Sequence, residues 1–200
     1  MTFAETVKAL PDVVELRRLC DFLVALDSEF AFGEWFLTKN FNGLGSDRFF
    51  WDNGSGDEAS VVFKADGVND DSVLAFVFEH ESEFSAYNGD FEQIVFDGVP
   101  SSFDHLIENV DLMNDEPMVY ATTAAWLLTG DSVWKFNHVF AAMFDDAEYP
   151  LNGFDPEGNI FFNVPDVEHV SEMHYVTDRY DFSQEEFTRR IGAFFNEHGF

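Results

Sequence analysis

The sequence predicts an α+β fold: a mainly antiparallel sheet packed by an N-terminal helix, a middle helix and a C-terminal helix. Three observations lead there. Apolar residues recur at helical spacing near both ends and once in the middle. Between them stand β-branched and aromatic runs of strand length, bounded by Gly, Asn and Asp. The order helix, strands, helix, strands, helix lacks a regular βαβ alternation. With 200 residues, no internal repeat and no long linker, the chain reads as one domain, 1–200.

Pro11 suits the first turn of a helix in which Leu16, Leu19, Cys20 and Leu23 share a face and Arg17, Arg18 and Asp21 lie opposite. Cys20 is then a small core residue. From Asn40 to Gly67, Gly, Asn, Asp and Ser mark loops flanking short strands. Val61-Val62-Phe63 and Val73 to Phe78, separated by Asp66-Gly67 and Asn69-Asp70-Asp71, predict a hairpin at the centre of the sheet. Phe91 to Phe96 predicts a third strand. Ser101 or Ser102 can cap the middle helix, whose stripe is Phe103, Leu106, Ile107 and Val110. Met118 to Leu128 mixes alanines with Val, Tyr and Thr, and is assigned to helix. Val133 to Phe140, Asn159 to Val164 and Val167 to Val176 are expected as strands. The last helix is announced by Ser183 and Glu186, an S-x-x-E capping box ahead of Phe187, Ile191, Phe194 and Phe195.

Composition narrows the function classes. The formal net charge is −29, from 39 acidic and 10 basic side chains, so the chain should repel nucleic acid and favour cationic partners. Hydrophobic residues make up 46% of it and Phe alone numbers 26, which excludes a disordered class. A single cysteine excludes an intrachain disulfide. No apolar run reaches the roughly 20 residues of a membrane span, and Met1 to Leu10 lacks the form of a signal peptide, so the expectation is a cytoplasmic protein without membrane contact.

Motifs of catalysis are sparse. Glu79-His80-Glu81-Ser82-Glu83 follows an apolar strand and has the residue types of a metal or acid/base site. It lacks the second His of H-E-x-x-H, and on a strand His80 and Glu81 would point to opposite faces. The acidic loops Asp52 to Glu58, Asp66 to Asp71 and Asp155 to Asn159 lack calcium-loop spacing, and the six histidines are scattered. No cofactor is expected.

Phe78 to Ser85 with its His-Glu-Ser-Glu segment, then Phe96-Asp97-Gly98-Val99-Pro100, then Trp126 and Trp134, resembles an uncharacterised bacterial family. The likeness covers about residues 73–135 and departs where Phe84-Ser85-Ala86 replaces the family's Met-Ser-Pro. It implies no activity. In composition the chain is similar to acidic bacterial immunity proteins that neutralise toxins.

The leading expectation is therefore a non-enzymatic binding protein for a basic partner, a toxin or a nucleic-acid-binding protein. The contact acids would be Asp52, Asp57, Glu58, Asp66, Asp70, Asp71, Asp145 and Asp146, with Phe49, Phe50 and Trp51 as aromatic anchors. Three alternatives stand beside it: a DNA mimic that blocks a nucleic-acid-binding protein, a hydrolase or metal-dependent enzyme using Glu79 to Glu83, and charge that serves only solubility or salt adaptation.

Overall fold

The computed structural model describes residues 1–30, 38–41, 46–52, 56–64, 71–85, 88, 92–104, 121–148, 150–154 and 183–200. The architecture is α+β. Five antiparallel strands lie in the order β1-β2-β3-β4-β5: Thr38–Phe41, Ser46–Asp52, Glu58–Lys64, Val73–Phe78 and Thr123–Leu127. The helices are α1 (Phe3–Ala9), α2 (Val13–Phe30), α3 (Glu92–Val95), α4 (His138–Asp146) and α5 (Gln184–His198), with a 3₁₀ turn at Ser101–Phe103.

The predicted hairpin is β3–β4, with Val61 opposite Ala75 and Phe63 opposite Val73. Every residue of β4 and β5 is buried, so both faces of this part of the sheet are covered, which is why these strands read as continuous apolar runs rather than alternating ones. Arg17 of α2 lies over the Phe63 ring at 4.1 Å and pairs with Asp47 at 2.6 Å on one face. Phe96 meets Phe76 edge-on at 5.7 Å on the other. Phe3 of α1 is fully buried among Phe136, Phe140, Phe144 and Phe154, and Phe22 of α2 packs on Phe194 and Phe195 of α5. Each such ring pair adds about 0.5–1.5 kcal/mol beyond its area burial.

Helix starts follow local chemistry. Asp12 caps α2, its Oδ1 accepting from Glu15 N at 2.9 Å, and the helix starts at Val13, so Pro11 lies before the first turn in which it was expected. Ser183 caps α5 through Glu186 N, while the Glu186 carboxylate turns to Arg189 and Arg190. A full capping box stands instead at Thr2 and Glu5, which start α1.

Four expected elements differ. Within Phe91 to Phe96, Glu92–Val95 is a helical turn rather than a strand, and Phe96 meets Phe76; Phe91 lies outside the described residues. Within Met118 to Leu128, Thr123–Leu127 is strand rather than helix. Pairing with β4 buries Ala124 and Ala125 on opposite faces, a pattern no amphipathic helix offers. In Val133 to Phe140 the pairing is one bridge, Lys135 with Trp126, before Asn137 accepts from Val139 N and Phe140 N and starts α4. Ser101 and Ser102 lie inside a 3₁₀ turn whose N-cap is Pro100. The rest of that predicted helix, residues 105–110, and the strands expected at 159–164 and 167–176 fall outside the described residues.

Candidate functional site

The end of the β3–β4 ladder assembles the site. Glu58 and Phe78 form the last paired position, so Asp57 and Glu79 are the next residues off the same end. Asp57 Oδ1 accepts from the His80 backbone N–H at 3.0 Å and lies 2.7 Å from His80 Nδ1. The ring of His80 packs against Gly56, whose φ of +104° admits this approach; a Cβ there would stand 3.4 Å from His80 Cγ. On the other side Glu79 N donates to Thr122 Oγ1 at 3.1 Å, and Thr122 N donates to Val77 O at 2.7 Å.

Strand β4 ends at Phe78, and the chain then turns, with Ser82 N donating to Glu79 O at 3.1 Å. The strand alternation expected to separate His80 from Glu81 therefore does not apply. His80 Nε2 lies 3.9 Å from Glu81 Oε1.

Charges here act on one another. Burial, then the Asp57 carboxylate and a hydrogen bond with it, push the Glu79 carboxyl up to about 7. The hydrogen bond with Asp57 raises His80 above its usual range, with the nearby carboxylates acting in the same direction. Near neutral pH this corner holds exchangeable protons.

Glu79 also lines an open groove of about 590 Å³ together with Met1, Thr2, Glu5, Phe144, Asp145, Pro150, Leu151 and Asn152. Glu5 Oε2 accepts from Thr2 N and Asp145 Oδ1 from Phe3 N, both at 2.8 Å. The groove thus combines apolar walls with three acids. Gly153, next in the chain to Asn152 of the groove, sits directly on the Val77 side chain.

The remaining predicted residues are dispersed. Phe49 is fully buried and Trp51 is 6% exposed, so neither presents a ring to a partner; Phe50 is half-buried near Arg48. Glu58 is half-buried and acts on Arg48, whose burial brings its guanidinium down to about 10. Asp71 and Asp146 are exposed, and Asp145 borders the groove. Asp66, Asp70 and the side chain of Asp52 lie outside the described residues. Sequence reasoning placed Asp57 and the Glu79 to Glu83 segment in separate hypotheses; strand register unites them. It also missed Glu5, although T-x-x-E at Thr2 was there to be read.

No family model, curated protein or solved structure matches the chain. Among the described residues, no group of three or more His, Cys, Asp or Glu is arranged to hold a metal ion, and no helix is long and apolar enough to cross a membrane. Chemically, the arrangement can exchange protons and attract cations.

Proposed function

We propose that the chain is a non-enzymatic acidic binding protein that engages a basic protein, in the manner of an immunity protein occupying a toxin. The observation that carries this reading is the net charge of −29 on a folded chain with a well-packed core. Exposed acids such as Asp12, Asp71, Asp146 and Glu148 stand on different elements, so the negative potential covers a broad surface and steers a cationic partner from a distance. Glu5, Glu79 and Asp145 add carboxylates beside the apolar side chains Phe144 and Leu151, a combination suited to the aliphatic stem and charged head of Arg or Lys.

The test is capture from a lysate of the source organism at low and then moderate salt. The expected result is one basic protein in stoichiometric amount, with affinity falling as salt rises and falling again in the D71N/D146N/E148Q variant. Recovery of nothing at either salt would refute the reading for the proteins in that lysate.

A second reading, general acid–base hydrolysis, has one observation in its favour. A carboxylate 2.7 Å from Nδ1 orients an imidazole for proton transfer at Nε2, and Glu79 is an acid poised near neutral pH beside it. Turnover of an ester or phosphodiester panel that disappears in Asp57→Asn would favour this reading over simple binding.

A further inference from the structure

We propose that Asn152 and Gly153 form a deamidation site that α1 holds shut. Packing creates the liability. Gly153 is buried against the Val77 side chain, and a Cβ at this position would collide with Val77 Cβ and Cγ1, so β4 leaves room for glycine and nothing larger. Glycine after asparagine leaves its backbone nitrogen unhindered toward the preceding carboxamide. In the reaction Gly153 N attacks Asn152 Cγ, the Cγ–Nδ2 bond breaks, and ammonia leaves with the proton of the Gly153 N–H. Water then opens the cyclic imide to aspartate or isoaspartate, so that amide and water become carboxylic acid and ammonia.

The Asn152 carboxamide is held at both ends. Phe154 N donates to Asn152 Oδ1 at 3.1 Å, and Asn152 Nδ2 donates to Thr6 Oγ1 at 2.9 Å. A backbone N–H can only donate, which makes the atom facing Phe154 the carbonyl oxygen and turns the NH2 group to Thr6. Thr6 Oγ1 accepts there and gives its own hydrogen to Thr2 O at 3.0 Å. This run of bonds, with Thr6 buried, ties the loop at Asn152 to α1. Bringing Cγ onto Gly153 N turns the carboxamide out of that arrangement, so the reaction requires the Thr6 contact to open first.

Asn152 lines the groove with Glu5, Glu79 and Asp145. Its product is a further carboxylate on that surface, with no N–H to return to Thr6. Isoaspartate also inserts a methylene into the main chain beside Gly153, against Val77. Conversion is thus a one-way record that α1 has parted from the loop, and it makes the groove more acidic.

Peptide mapping by mass spectrometry tests the site on the full chain, incubated at mildly alkaline pH either folded or in denaturing urea. Mapping is needed because Asn42, Asn53 and Asn88 also precede glycine. Asn152 should convert about tenfold or more slowly in the folded chain than in urea. Thr6→Val, which keeps the shape of the side chain and removes its hydroxyl, should speed conversion in the folded chain about fivefold or more. Thr6→Ala repeats that test without the second methyl group, and Thr6→Ser, which keeps the hydroxyl, should stay near the wild-type rate. Circular dichroism shows which variants are folded. Equal rates in the folded and urea-unfolded wild-type chain, or wild-type slowness in a folded variant that lacks the Thr6 hydroxyl, would overturn the proposal.

Discussion

Two glutamates show how differently this molecule treats one functional group. Glu186 stands in the first turn of α5, bonded to Arg189 Nη2 at 2.7 Å and Arg190 Nε at 2.9 Å, and those hydrogen bonds bring its carboxyl down to about 2. Glu79 is half-buried beside Asp57 and is pushed up to about 7. With 39 acids and 10 bases in the chain, basic side chains are scarce relative to carboxylates. Four of the ten bases, Arg17, Arg18, Arg189 and Arg190, stand on α2 and α5. Glu186 is held charged on α5, while the end of the β3–β4 ladder is left to share protons.

The comparison can be broken first through the core. Gly153→Ala would drive a methyl group into Val77, two residues before Glu79, and should cost about 3 kcal/mol in urea unfolding because neither side can yield cheaply. Next comes Glu79→Gln, which removes the penalty of charging the buried acid. It should raise stability by about 2 kcal/mol at pH 8 and leave it unchanged at pH 4, a figure reduced from full linkage because solvent screens the part-exposed carboxyl. The sign follows from the raised value: the wild-type chain loses stability as pH climbs through 4.5 to about 7, and the variant does not. Gly56→Ala should cost about 1 kcal/mol from its positive φ alone, since a Cβ there would meet His80 at ordinary contact distance. Last, Glu186→Gln should leave the melting temperature nearly unchanged at moderate salt, since that ion pair is solvent-exposed.

Elements whose signal is local were legible in the sequence. Ser183 caps α5 as its spacing predicted, and the β3–β4 hairpin follows from two apolar runs with turn residues between. Failures came where tertiary contacts outweigh propensity. Ala124 and Ala125 favour helix alone, yet β4 offers them a ladder and two covered faces. Asn137 was a cap inside a stretch read as strand, and its two backbone acceptances start α4. The candidate site was legible in its parts and not in its assembly. Asp57 and His80 are 23 residues apart, and only the register that pairs Glu58 with Phe78 brings them together. Conversely, Phe49 and Trp51 have the aromatic character of interface anchors, but strand alternation turns both onto one covered face of β2.

The most direct test of this account is a side-chain carboxyl ¹³C titration of Glu79 and Glu186 in one uniformly labelled sample. The account predicts a midpoint of about 7 for Glu79 and one below 4.5 for the solvent-screened Glu186, with Glu79 moving toward its ordinary range when Asp57 is replaced by Asn. Two midpoints together near 4.5 would contradict it, and with it the claim that the end of the β3–β4 ladder holds exchangeable protons near neutral pH.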